Sequence, residues 1–171
     1  MPDAYAYDVF LSFSHHDEEW VAEVLLTRLE GAGLRACIDF RDFKVGAPSV
    51  REMERAVVES RKTILVLTPA YFESAWATLE NVMLQTLDPA NDKLRLIPLL
   101  KEPCEFPLRL RALTQVSFVP GANEERGWAR LLEALGAAKP AVPLQATTRA
   151  DWHLVHPYPM PPNFTGRVAE R

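Results

Sequence analysis

The chain has 171 residues, 48% apolar and 25% charged, with a net charge of −4. These are ordinary globular values that exclude a disordered chain, and the acidic balance offers no basic face to nucleic acid. Cys37 and Cys104 lie far apart without metal-ligand spacing and read as two reduced thiols. Asp3 and Asp8 interrupt the N-terminus, so no signal peptide is read there. No stretch approaches the ~20 apolar residues of a membrane span. The expectation is a cytoplasmic protein without a membrane partner.

The first element, Tyr7-Asp-Val-Phe-Leu-Ser-Phe-Ser14, is a short apolar run without Gly or Pro, the pattern of a strand buried on both faces. Asp17 follows as the expected cap of a helix with Glu18 and Glu19 in its first turn. Val21, Val24, Leu25 and Leu29 give that helix its apolar stripe, and Gly31 with Gly33 ends it. Residues 34–38 predict a second, shorter strand. A polar loop from Asp39 to Ala47 carries Phe40 and Phe43 and closes with Gly46. Pro48 suits the first turn of the next helix, whose buried stripe is Val50, Met53 and Val57.

Residues 62–68 predict the clearest buried strand, stopped by Pro69. A helix then runs from about Ala70 or Ser74 to Leu87, with Leu79, Met83 and Leu87 on one side. Residues 94–100 predict a fourth strand, and Pro98 predicts interrupted pairing in it. Residues 101–111 read as irregular. A short fifth strand covers 116–119, and Asn123 caps a last helix that Gly136 stops. Strands alternating with helices specify a parallel sheet covered on both faces, with ligands beyond the carboxyl ends of the strands. The domain spans residues 5–138. From Lys139 onward, prolines crowd a segment without periodicity, which reads as an extended linker over 139–171.

Several chemistries fall away. A phosphate-accepting receiver needs an Asp where the third strand ends in Thr68-Pro69, and paired acids where Ser14-His15-His16 stands. A dinucleotide fold needs a Gly-rich turn after the first strand, which is missing. His15 and His16 are adjacent and point differently; His153 and His156 sit in the Pro-rich tail without partner ligands. No metal site is expected. Trp76 and Glu80 are four apart on one helix, an indole and a carboxylate on one face. Taken alone the pair reads as a core tryptophan beside a solvated glutamate.

In combination the motifs are more specific. Tyr7–Ser14, the loop Arg41-Asp-Phe-Lys-Val-Gly-Ala47 and Ser74-Ala-Trp-Ala-Thr-Leu-Glu80 resemble, in order, the box-1 strand, BB loop and Trp-x-x-x-Glu helix of Toll/interleukin receptor (TIR) domains. The chain departs from that pattern at Val45, where a proline is usual, at Phe13 for a frequent Tyr, and at Ala77 for a frequent Cys. The resemblance implies a flavodoxin-like three-layer α/β fold with a five-stranded parallel sheet.

It also implies two functional alternatives. One is an NAD+ glycohydrolase, or an ADP-ribosyl cyclase, with Glu80 catalytic and Phe13, Ser14, Asp39, Phe43 and Trp76 binding NAD+, which is substrate rather than cofactor. The other is a non-catalytic module that assembles with other TIR domains. Arg41, Asp42, Phe43, Lys44 and Gly46 are the implied self-association loop. Phe164-Thr-Gly-Arg167 resembles the opening of a STAND- or NLR-type NTPase, which implies a C-terminal NTPase partner and an effector role in prokaryotic anti-phage defence.

Overall fold

The computed structural model describes residues 5–80 and 93–137. The expected linker over 139–171, its NTPase-like motif, and Met83 and Leu87 lie outside the described residues. Five parallel strands, β1 Tyr7–Ser12, β2 Ala36–Cys37, β3 Ser60–Leu67, β4 Leu96–Leu100 and β5 Val116–Ser117, form one sheet in the order β2-β1-β3-β4-β5. The chain moves outward in both directions from the β1–β3 pair, so the carboxyl ends of β1 and β3 form the switch point of the sheet.

Period-2 alternation builds two cores, one on each face. Val9, Leu11, Ile64, Val66, Ile97 and Leu99 face one side. There they meet Val21, Leu25 and Leu29 of the first helix and Trp128, Leu131 and Leu135 of the last, Glu124–Leu135. Phe10, Leu65, Leu67 and Leu96 face the other side, against Ala56, Val57, Tyr71, Trp76 and Leu79. The first helix runs from Glu18 to Gly31, α-helical over Glu18–Trp20, π-helical over Val21–Leu26 and α-helical over Thr27–Gly31. The last has both expected ends: Asn123 accepts the Arg126 N–H, and Gly136 is left-handed at φ 68°.

Local pattern misleads at several points. Asp17 does not cap the first helix. Ser14 caps the 3-10 turn His15–Asp17 that precedes it, while the Asp17 side chain turns inward. The polar loop begins as a helical turn, Asp39–Asp42, with the Asp42 carboxylate accepting the Ile38 N–H. Val50 is exposed; Val57 is buried as expected and Met53 packs on the same core, while Glu52 and Ala56 complete the buried face of the helix Ser49–Glu59. The helix expected from Ala70 or Ser74 breaks at Ala75, dividing Pro69–Ser74 from helical residues 76–80. Residues 101–111 contain one helical turn, Leu108–Arg111. Pro98 keeps its register opposite Leu65 on β3, and pairing with β5 covers only Leu99 and Leu100. Both cysteines are free, and burial pushes the Cys37 thiol up to about 12.

The inward Asp17, 4% exposed, accepts the Thr68 hydroxyl at 2.7 Å and the Lys101 ammonium at 2.7 Å. One carboxylate thereby joins the first helix to the ends of β3 and β4. Burial works against the Lys101 charge, yet Asp17 and Glu102 raise its pKa above the usual lysine value. Lys101→Ala leaves that buried carboxylate without its cation and is expected to cost about 3 kcal/mol in denaturant titration. Trp76 is 8% exposed and packs on Phe72, with ring centroids 5.8 Å apart. Trp76→Ala is expected to cost about 3–5 kcal/mol by the same measurement, the loss of a core indole.

Candidate active site

Beyond the carboxyl ends of β1 and β2 lies a cleft of about 420 Å³, within the ~300–1,000 Å³ usual for small-molecule sites. Three segments supply its walls. Phe13, Ser14 and His15 follow β1; Asp39, Phe40 and Phe43 follow β2; Ser74, Ala75 and Thr78 come from the break after β3 and the helical piece beyond it. Met53 and Ser49 close the side next to the loop.

The floor is held by hydroxyls that are buried at Ser12, Ser14, Thr68 and Tyr71 and reach the surface at Ser74. Thr68 accepts the Tyr71 N–H and so caps the helix Pro69–Ser74, whose Pro69 suits its first turn. The Tyr71 hydroxyl meets Ser12 Oγ at 2.9 Å, and Ser74 donates to Ser14 Oγ at 3.1 Å. Ser14 is therefore a fixed lining group, bonded on both sides. Burial pushes the Tyr71 phenol well above its ordinary pKa, so it stays neutral.

The walls are aromatic. Phe13 and Phe40 meet edge to face at 6.4 Å, and Phe43 stacks on Phe10 at 6.1 Å. Phe43 is half-buried rather than displayed, whereas Phe40 is 49% exposed and Val45, at the loop tip, is fully so. Asp39 is the carboxylate among the cleft-lining residues. Burial raises its pKa above the usual aspartate value, opposed by the Phe40 N–H, which donates to Oδ1 at 2.7 Å. An aromatic recess with one partly desolvated carboxylate is chemically matched to a flat organic cation.

Of the residues expected to bind substrate, Phe13, Ser14, Asp39 and Phe43 converge on this cleft; Trp76 does not line it and belongs to the core. Glu80 is half-buried on residues 76–80 and is not among the lining residues, although Thr78 two positions earlier is. Of the expected assembly residues, Arg41 bonds Asp42, Glu30 and the Ala36 carbonyl, so both Arg41 and Asp42 brace their own chain. Lys44 is exposed, and Gly46 takes φ +83°, a conformation that favours glycine at this turn.

Sequence reasoning missed Glu52. Only 6% exposed, it accepts the Lys44 N–H at 3.0 Å and Arg55 Nη2 at 2.7 Å. The Arg55 guanidinium first, then the Lys44 N–H, hold its pKa below the usual glutamate value. This bond network therefore stabilises above the unfolded glutamate pKa and is lost as pH falls through the depressed one. The available signal was a Glu and an Arg three apart, Glu52 and Arg55, on a helix that follows a loop.

A family model described as the TIR domain matches residues 9–132. Protein toll of Drosophila melanogaster is 36% identical over 76 residues, 43% of this chain and 7% of that protein. Toll-like receptor 4 of Bos taurus is 28% identical over 150 residues, 80% of this chain and 18% of the receptor. The chain thus spans less than a fifth of these curated relatives. The crystal structure of the TIR domain of Toll-related receptor TRR-2 from Hydra magnipapillata superposes with a TM-score of 0.67 at 26% identity, over 77% of this chain and 99% of that one. A metazoan TIR-STING receptor from C. gigas shares the fold, with a TM-score of 0.62 at 24% identity over 79% of this chain and 42% of its own. No helix among the described residues is long and apolar enough to cross a membrane. With its three sequence motifs, its 2-1-3-4-5 parallel sheet and the family match across most of its length, the chain belongs to the TIR domain family.

Proposed function

We propose that this TIR domain cleaves the nicotinamide–ribose bond of NAD+ in the cleft at the strand ends. One observation carries the reading: Phe13, Ser14, Asp39 and Phe43, from separate motifs, line a single aromatic recess. The pyridinium of NAD+ is a flat cation, favoured by the ring walls and the Asp39 carboxylate. Nicotinamide leaves as a neutral base with the bonding pair, so no general acid is required. Water adds at the ribose anomeric carbon and its proton passes to solvent, giving ADP-ribose; attack by a substrate atom would give a cyclic product. The role assigned to Glu80 is to bond the ribose hydroxyls and stabilise the oxocarbenium-like transition state.

In the fuller proposal the domain is the cytoplasmic N-terminal effector of a prokaryotic STAND-type defence protein, brought together by its NTPase partner. The second reading, a non-catalytic assembly module, is favoured by the position of Glu80 outside the cleft lining and by Toll-like receptors among the curated relatives.

Nicotinamide release by concentrated protein is the deciding assay. Glu80→Ala is expected to abolish release with an unchanged melting curve, since Ala is well tolerated in a helix. Equal rates in parent and variant would remove Glu80 from the mechanism. No release in any assembled state would favour the module.

Activity is further expected to depend on self-association through the loop, whose exposed Phe40 and Val45 give a monomer little. Specific activity should rise steeply with protein concentration or on fusion to an oligomerising partner. A flat value from nanomolar to high micromolar protein, in a sample shown to stay monomeric, is the contrary result.

A further inference from the structure

We propose that Glu52 and Arg55 are positioning residues that hold Phe43 in the cleft wall by gripping the main chain on both sides of it. Glu52 accepts the N–H of Lys44 at 3.0 Å, and Arg55 Nη2 donates to the carbonyl of Asp42 at 3.0 Å. Those two groups bracket Phe43. The Arg55 guanidinium also reaches Glu52 through Nη2 at 2.7 Å and Nε at 3.3 Å, while Nη1 goes to Glu59 at 2.9 Å. One ion pair on the helix Ser49–Glu59 therefore fixes the backbone from which the Phe43 ring projects onto Phe10.

A partly buried ion pair is a poor way to add stability, because desolvation offsets much of its attraction. It is a good way to set position, because each partner accepts or donates only in a narrow geometry. The rest of the loop fits that division of labour. Before Phe43, Asp42 accepts the Ile38 N–H at 2.8 Å and anchors the stem. After it, Ala47 N–H returns to the Lys44 carbonyl at 3.1 Å across left-handed Gly46. The tip from Lys44 to Gly46 is exposed, Val45 fully so. The loop is thus a fixed stem with a free tip, and the cleft wall belongs to the stem.

Neither Glu52 nor Arg55 lines the cleft, so their effect passes through Phe43. The kinetic part of the test rests on the NAD+ reading above; the hydrogen-exchange part does not. In Glu52→Ala, exchange of the Lys44 amide should accelerate roughly tenfold or more while Leu65 and Val66 amides in β3 keep their rates. KM for NAD+ should rise about tenfold with kcat within about twofold, the signature of lost substrate binding rather than lost chemistry. Glu52→Gln retains a carbonyl oxygen for the Lys44 N–H and should restore part of both values. Phe43→Ala should reproduce the KM change with β3 exchange unaltered. An unchanged Lys44 rate in Glu52→Ala overturns the proposal. So does an equal loss of protection at Leu65 and Val66, which would make Glu52 a general structural group. If the parent protein releases no nicotinamide, the functional reading fails while the exchange rates still decide the positioning role.

Discussion

The carboxylate of Asp17, buried between the Thr68 hydroxyl and the Lys101 ammonium, is the interaction on which the upper end of this sheet depends. Parallel strands end without a hairpin to join them, so their carboxyl ends must be tied by other means. Asp17 ties the first helix to two of them at once. Thr68, oriented by Asp17, caps the following helix; Tyr71 in that helix reaches Ser12, and Ser74 at its end reaches Ser14. The cleft floor is the last member of that sequence. Its placement traces back to a charge that lies outside the cleft lining.

Above this floor the construction differs. The aromatic walls come from Phe13 on the strand end and from Phe40 and Phe43 on the loop, and the loop is held by carboxylate and guanidinium groups addressed to main-chain atoms. Hydroxyls from distant parts of the sequence fix the floor; a carboxylate and a guanidinium from the adjoining helix fix the loop. The arrangement suits a site whose floor is permanent and whose outer rim is open to a neighbour.

Much of the architecture was legible because it rests on local signals. The apolar runs gave the strands, Asn123 and Gly136 marked the last helix, and the alternation of elements implied a parallel sheet with a site at its carboxyl end. What escaped depended on partners distant in sequence. Asp17 has the position and chemistry of a helix cap, yet Thr68 and Lys101, 51 and 84 residues away, claim it. Trp76 shares a helix with Glu80, and spacing alone could not say whether the indole faces a cleft or Phe72. Glu52 looks like a solvated helix residue until the loop folds back on it. The gathering of Phe13, Ser14, Asp39 and Phe43 followed from motif order, whereas the volume they enclose did not.

The two outermost strands of the sheet, β2 and β5, are only two residues long each. A long bare margin would offer a ladder of unpaired amides and carbonyls to any other extended chain, the route by which crowded β-proteins convert to fibres. Margins this short give such a ladder no length. A domain with such margins offers little main chain for cross-β growth even when crowded against copies of itself.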